Sequence, residues 1–585
     1  MIHTIQVIEL DPLSHRGYEG KHAALHGMGR HSEAFEAFRV MLSKFEQSPD
    51  PQISGRLCCQ YCRDNRALIG FWTELRHQYV DATATIQNVV QQTICHMPRV
   101  LIDTLTGRLH DKIQQATAFE ELPIYDELRS SMTSRLDNAR IRSEVKNYYR
   151  YAMFSHRWEY GEPLFQKVQN ISIYDLESSS PNIKLQMLCK LICSLGFQWV
   201  WSDTCCIDKK DNVVLQESLV AMFTWYRGSS LTIVYLRGVW SQSQQPGDLW
   251  KSIWNTRAWT YQEYVAAVVV QFYTEDWEPY LGSDMFNHKE SPAIISEMEQ
   301  ASGVSVQESA VLRPGLERVR EKLFLASMRR TTLVEDVAYS LLGIFNVAIP
   351  VIYGEGNRAV GRLLEHILTG SGDVTILAWT GRVGTYNSCL PIDLTVYNQL
   401  VSPHVPQPIE MTEMDGMVKA LHSSLPDLSL AVTLHDQLNR LPSPSVAASR
   451  LRLAGIVFPV TELVRTSESH AGSDLYVYRA TTAAFGDVEI KTADDLSGME
   501  DFVLIHPWIS PLLDQEFSRR TGIDVTTRAL RLVARLMQPF GALLLAPLSR
   551  VQYKRVATDS LIMVRVHEET SLNELIDGIS TIDIQ

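Results

Sequence analysis

Residues 197–236 read FQWVWSDTCCIDKKDNVVLQESLVAMFTWYRGSSLTIVYL. Two short apolar runs, FQWVWSD (197–203) and LTIVYL (231–236), flank a stretch in which Leu215, Leu219, Met222, Phe223 and Tyr226 recur at helical spacing. A strand, an amphipathic helix and a second strand in succession read as a β-α-β crossover. The pattern continues on both sides. Upstream, the strand YAMFS (151–155) precedes a helix with Leu185, Leu188, Leu191, Ile192 and Leu195 on one face, and downstream VVVQFY (268–273) is a fourth strand. Strands alternating with such helices predict an α/β fold, a mostly parallel sheet with helices on its faces.

The flanks read differently. Residues 1–145 are expected to be helical, with apolar periodicity in KHAALHGMGRHSEAFEAFRVMLSKFEQ and in FWTELRHQYVDATATIQNVVQQTI. The first stretch resembles one tetratricopeptide (TPR) unit: Ala24, Gly27, Gly29, Ala34 and Ala37 let two helices approach, and Phe35, Phe38 and Leu42 fill the space between them. One unit cannot bury its own face, so a helical cap and a peptide-binding array both stay open. Beyond the four strands, EKLFLASM, VEDVAYSLLGIF and NRAVGRLLEHIL predict a helical extension. Residues 371–585 read as a β-rich domain, with strands at TILAWTG, LRLAGIVFPV, DLYVYRATT, DVEIKTA, DFVLIHP, ALLLAP and SLIMVRV and one strong helix, TTRALRLVARLM (526–537). Since 585 residues exceed what one core serves, the expectation is three parts: 1–145, 146–370 and 371–585.

Composition narrows the function classes. A hydrophobic content of 45% against 21% charged residues describes a folded chain rather than a disordered one. The formal net charge of -13 repels phosphate backbones, and with no Lys/Arg block in the chain nucleic acid is not an expected partner. The N-terminus lacks the basic and apolar regions of a signal peptide, and runs such as GALLLAPL (541–548) fall short of the ~20 residues that span a bilayer. A cytoplasmic protein without membrane insertion is expected. Nine cysteines, an odd number, fit a reducing compartment. Cys58, Cys59 and Cys62 form a lone CCxxC with no second pair to complete a zinc shell, so no metal site is expected.

Four segments, in this order, carry a family resemblance: YAMFSHRWEYGEPLF, then the 197–236 stretch, then TRAWTYQEYVAAVVVQFY, then RRTTLVEDVAYSLLGIFNVAIPVIYGEGNRAVGRLLEHI. Over about residues 146–370 they resemble the fungal heterokaryon-incompatibility (HET) domain, and the flanks resemble those of a basidiomycete subgroup. The family usually has Gly where this chain has Glu159, and Ile where it has Ser202. The resemblance implies a role in non-self response and programmed cell death, with protein partners or self-association through the HET domain and the helical N-terminal region.

The HET domain in turn resembles the Toll/interleukin-receptor (TIR) domain, a flavodoxin-like fold in which some members cleave NAD+ at the nicotinamide-ribose bond. Their key glutamate follows a tryptophan by four residues, and Trp259 and Glu263 reproduce that WxxxE spacing. NAD+ would then be a substrate, with no cofactor required. Cleavage of an N-glycosidic bond needs a carboxylate to stabilise oxocarbenium charge or to hold the ribose, and Glu263 is the candidate catalytic residue. Thr260 and Glu263 also fit a T-x-x-E capping box, in which the glutamate only satisfies a helix N–H. Ligands of open α/β sheets sit at the carboxyl ends of strands, which places Ser155, His156, Arg157, Trp158 and Asp203 as candidate ligand-binding residues together with Trp259. Arg157 would bind phosphate, His156 would donate to a hydroxyl or phosphate, and Asp203 would orient either one. The opposing reading is an Asp203 pair with Arg157 or His156 that only fixes the loops. Cys205 and Cys206 after an apolar strand read as packed thiols rather than nucleophiles. Gly354, Gly356 and Gly361 mark the start of a helix rather than a dinucleotide loop, and Glu335 and Asp336 read as first-turn acids. Whether the domain is an enzyme or a non-catalytic recruitment module stays open at this level.

Overall fold

Two units make up the chain, one formed by Met1–Ser218 with Thr224–Ile233 and the other by Leu219–Phe223 with Val234–Gln585. The structure, a computed structural model, describes residues 2–12, 15–46, 82–131, 137–302, 313–398, 411–467, 475–508, 524–549, 552–567 and 570–585. Cys58, Cys59, Cys62 and residues 71–81 of the second N-terminal stretch lie outside them.

In the first unit the strands are β1 (Leu101–Asp103), β2 (Leu109–His110), β3 (Tyr151–His156), β4 (Trp199–Trp201) and β5 (Leu231–Tyr235), in the order β2-β1-β4-β3-β5. β3 runs parallel to β4 with Ala152 opposite Val200, as the crossover pattern predicts. On its other side β4 meets β1 antiparallel, so the sheet is mixed. The β1–β2 hairpin corrects the all-helical reading of the N-terminal region. LID and LH are too short to show alternation, and their turn depends on Asp103, whose carboxylate accepts from the Leu105 N–H at 2.8 Å, and on Gly107 at φ +67°.

The helix Ser180–Ser194 buries Leu185, Leu188 and Ile192. It ends in a Schellman turn: Gly196, at φ +81°, donates to the Cys193 carbonyl and Phe197 to that of Ile192. That turn aims the chain directly into β4, where Trp199, Val200 and Trp201 are all fully buried. The helix Asn212–Gly228 starts on Asp211, whose carboxylate accepts from the N–H groups of Val213 and Val214 at 2.9 and 3.2 Å. At its other end Tyr226 donates to the Phe154 carbonyl at 2.9 Å, tying the helix to β3. Nearer the N-terminus, helices His15–Gly27 and His31–Glu46 pair as a hairpin, with Leu25, Ala34, Ala37, Phe38 and Met41 buried.

In the second unit lies β6 (Val270–Tyr273), whose Tyr273 carbonyl accepts from the Leu236 N–H at 2.8 Å. The helical extension forms as expected, in Val319–Ser327, Asp336–Tyr339, Leu342–Phe345 and Arg358–Ser371. The C-terminal region is β-rich, with β7 (Ser445–Ala447), β8 (Arg450–Pro459), β9 (Glu462–Ser467), β10 (Tyr476–Thr482), β11 (Gly486–Thr492), β12 (Val503–Pro507), β13 (Phe540–Ser549), β14 (Gln552–Arg555), β15 (Ile562–Val564) and β16 (Ile579–Ile584). Strands β9, β10 and β11 form one sheet; in the other, β12 pairs with both β13 and β8, so β12-β13-β14-β16-β8 closes on itself. Closure leaves these five strands without a free edge. The amphipathic helix Val525–Leu536 forms where the sequence places it and buries Leu530, Leu532 and Val533.

Two readings of this region need correction. The helices Met411–Ser424 and Leu428–Asn439 were not anticipated. TILAWTG is not a strand: Val374–Leu377 is a 3-10 turn capped by Asp373, which accepts from the Thr375 N–H at 2.9 Å. Carbonyls that a strand would have paired go to side chains: Arg555 donates to those of Leu377 and Trp379 at 2.8 Å each and stacks 3.8 Å from the Trp379 ring centroid, Arg320 donates to that of Ala378 at 2.6 Å, and Tyr397 to that of Ile376 at 2.8 Å.

Candidate functional site

The candidate residues fall into two clusters, one in each unit. In the first unit β3 carries Ser155 and His156 to its buried C-terminal end. The chain then turns back through Gly161, at φ +85°, and brings Glu162 to His156, with Nε2 to Oε1 3.4 Å. Lys184, on the helix Ser180–Ser194, is 3% exposed and lies between two carboxylates, ion-paired with Glu162 and 3.2 Å from Glu159. Its ammonium also reaches the Arg157 carbonyl at 3.5 Å. Burial alone would raise the Glu162 pKa, but His156 and then Lys184 outweigh it and hold the carboxyl at about 2. Glu159, the departure from the family's usual Gly, thus supplies the second counter-charge for a buried lysine.

Asp203 pairs with neither Arg157 nor His156 in the way the sequence reading proposed. It accepts a 2.7 Å hydrogen bond from the indole N–H of Trp158. Lys209 completes a knot: its ammonium sits 3.7 Å from the Trp158 ring centroid and donates to the carbonyls of Asp203 and Thr204 at 2.8 and 3.2 Å. Burial lowers the Lys209 pKa, with Asp203 acting against it. Ser202, the second departure, is buried and shares a hydrogen bond with the Thr204 hydroxyl at 2.9 Å. Cys205 and Cys206 are buried, and burial, then Cys205, pushes the Cys206 thiol well up, which disfavours a thiolate nucleophile.

In the second unit Trp259 and Glu263 lie on the helix Ala258–Ala266. The capping-box reading fails, because the helix starts two residues before Thr260. The Thr260 hydroxyl points backwards, donating to the carbonyls of Trp254 and Arg257 at 2.8 and 2.9 Å. Glu263 is 6% exposed, in a helix whose Thr260, Tyr261, Gln262 and Tyr264 are also buried. Arg329 sits over the Tyr261 ring and donates to Asn255, Arg257 and Thr260. Burial brings the Arg329 pKa down to about 10, while Tyr261 and Glu263 act to raise it. Lys289 closes the far end of the helix on the carbonyls of Tyr264 and Ala267, and burial lowers its pKa to about 8.

Glu335 and Asp336 do more than start a helix. Asp336 accepts from the Trp259 indole N–H at 3.1 Å and from the Tyr353 hydroxyl at 2.9 Å. Burial raises its pKa, against the hydrogen bonds of Trp259 and Tyr353. Glu335 collects the N–H groups of Gly354 and Gly356 at 2.8 and 3.0 Å. Those amides converge because both glycines are left-handed, at φ +97° and +60°. Glu355 in turn takes Arg362 and the Tyr339 hydroxyl. The YGEG stretch is therefore pinned to the helix that carries Trp259 and Glu263. Glu162, Lys184, Lys209, Arg329 and Lys289 each lie outside a recognisable chemical motif; only the charge at Lys184, inside an otherwise apolar helical pattern, carries a local signal.

Among the described residues no group of His, Cys, Asp and Glu side chains is placed to hold a metal ion, and no helix is long and apolar enough to cross a membrane. No solved structure matches the chain. Over 230 residues it is 32% identical to the vegetative incompatibility protein HET-E-1 of Podospora anserina. That alignment covers 37% of this chain and 16% of the relative, so the chain spans only a small part of that protein's length. A family model described as "Heterokaryon incompatibility protein (HET)" matches residues 151–248, which hold the clusters around His156 and Asp203 but stop short of Trp259 and Glu263. On these matches the chain carries, at residues 151–248, a heterokaryon-incompatibility (HET) domain.

Proposed function

We propose that this protein is a HET-domain effector of a fungal non-self response that ends in programmed cell death, and that it works by recruiting or self-associating with protein partners. The observation that supports recruitment over chemistry is the state of the WxxxE pair: the Trp259 indole is engaged by Asp336, and Glu263 is almost fully enclosed. On this reading the protein acts in the cytoplasm of a basidiomycete and needs no cofactor. The parallel β3–β4 pair joined through a helix supports a TIR-like, flavodoxin-type core, and the N-terminal helical hairpin supports a TPR-like partner surface.

A second reading, NAD+ cleavage at the nicotinamide-ribose bond, draws support from Glu263 itself. Its carboxyl lies close enough to the Arg329 guanidinium to act on that group's pKa, and a carboxylate at this position is the group that would stabilise an oxocarbenium ion. His156, Arg157 and Asp203 would then hold the dinucleotide. The test pairs two readouts on the full chain, wild type beside Glu263→Gln: nicotinamide release from NAD+, and death on expression in a fungal host. Recruitment predicts no release from either protein and death from both, provided Glu263→Gln melts with the wild type. Release by the wild type that vanishes in Glu263→Gln would overturn recruitment in favour of the glycohydrolase.

A further inference from the structure

Two loops of the second unit combine features that rarely coincide. Leu333 and Val334 are 48% and 51% exposed, and Ile352 and Tyr353 are 49% and 38% exposed. Exposed aliphatic residues scattered singly need no explanation, but these four sit on loops bonded to each other. Tyr353 donates to Asp336, and Glu335 holds Gly354 and Gly356, so the Leu333–Val334 segment and the Ile352–Tyr353 segment are neighbours. The backbone of Ile352 meets one hydroxyl on both sides: its N–H donates to Tyr339 Oη at 2.8 Å, and the single Tyr339 proton is shared between the Ile352 carbonyl, 3.0 Å away, and Glu355. Five side-chain bonds thus hold apolar groups outward on a pre-formed surface, and a surface already ordered loses little entropy on binding.

The charge around this patch is one-sided. Its three carboxylates are spent internally, Glu335 on amides, Asp336 on Trp259 and Tyr353, and Glu355 on Arg362. Arg330 and Arg358 are exposed and Arg257 half-exposed. Arg257 and Arg330 are bridged through their backbones, and Arg257 lies close enough to Asp336 to act against the burial that raises its pKa. On a chain of net charge -13, exposed arginines on the same loops adjoin an aliphatic and aromatic patch, a combination that selects a partner by charge and holds it by burial.

We infer that the loops around Leu333–Val334 and Ile352–Tyr353 form a docking surface for an acidic, aliphatic segment of a partner protein. This rests on the recruitment reading and gives it a place and a ligand chemistry. A protein segment is favoured over an anionic membrane because four side chains on rigid loops offer far less apolar area than the inserted face of a membrane-bound helix.

The test selects random displayed peptides on the full chain, then measures binding of the selected peptides to wild type, to Val334→Ser/Ile352→Ser and to Arg330→Ala. Amide exchange over residues 333–356 checks that each variant keeps its loops. The expected peptides place Asp or Glu beside Leu, Ile or Phe, bind at least about tenfold more weakly to the double variant, and lose affinity with salt and with Arg330→Ala. Peptides without that pattern, or peptides insensitive to both variants, overturn the docking surface while leaving recruitment elsewhere intact. Binding to phosphatidylserine vesicles that depends on the same residues also overturns it, in favour of a lipid. No selected peptide, together with nicotinamide release lost in Glu263→Gln, would end the recruitment reading itself.

Discussion

At the C-terminal end of β3 a buried ammonium meets two carboxylates, whereas around Trp259 carboxylates meet neutral N–H and O–H donors. Lys184 lies between Glu159 and Glu162, with His156 Nε2 3.4 Å from the Glu162 carboxyl, so the cluster depends on Glu162 staying ionised. Asp336 and Glu335 are satisfied by an indole, a phenol and two glycine amides, none of which titrates near neutrality. The first arrangement is held by charge and responds to pH. The second is held by geometry and responds to backbone shape, which suits loops that must present a fixed surface.

The largest effect should come from removing one charge of the first cluster. Lys184→Met removes the ammonium that Glu159 and Glu162 share and leaves their enclosed charge under-compensated, a cost of about 3–5 kcal/mol. Amide exchange of β3 and β4 should rise accordingly, and Lys184→Met/Glu162→Gln should recover part of the loss. Unchanged exchange in the single variant would mean that water already screens these carboxylates.

Acidification should separate the two clusters next. Glu162 is held at about 2, below its ordinary value of 4.5. Its contribution is therefore complete above about pH 4.5 and is lost as pH falls toward 2, on the order of 2–3 kcal/mol. Asp336 has the opposite sign: its pKa is raised in the fold, so falling pH relieves a burial cost there. Exchange measured from pH 5 to 2.5, corrected for intrinsic rates, should climb in β3 before it climbs in the helix Ala258–Ala266. Simultaneous loss in both would contradict the contrast.

Much of this architecture can be read from residue order, and the unread part has a common cause. The strands β3 to β6 and the helix between β4 and β5 announce themselves because their periodicity is local. The β1–β2 hairpin does not, since two- and three-residue strands carry no period and acquire their structure from β4. TILAWTG misleads because an apolar run looks the same whether its carbonyls go to a neighbouring strand or to side chains, here the guanidiniums of Arg555 and Arg320 and the Tyr397 hydroxyl. The candidate site follows the same rule. Position at strand ends located Ser155, His156, Trp158 and Asp203, but their partners, Glu162 and Lys209, are fixed by a loop reversal and by a cation on a ring. The hydrogen bond between Trp259 and Asp336 spans 77 residues, beyond the reach of any spacing rule.

The smallest effect, at Trp158, sharpens the comparison from the surface side. Trp158 is 37% exposed, and Asp203 is partly so. Trp158→Phe keeps a ring face for Lys209 and removes only the N–H that Asp203 accepts, and water can take its place. The expected cost is about 1 kcal/mol or less, read as a slight rise in exchange where the chain leaves β3 and β4. Trp158→Leu removes the ring face as well and should cost up to about 1 kcal/mol more through Lys209. If Trp158→Phe instead matched Lys184→Met, the knot at Asp203 would belong with the buried charges. If it cost nothing in stability yet abolished the death response, Trp158 would be a contact for a ligand or partner rather than a brace between two loops.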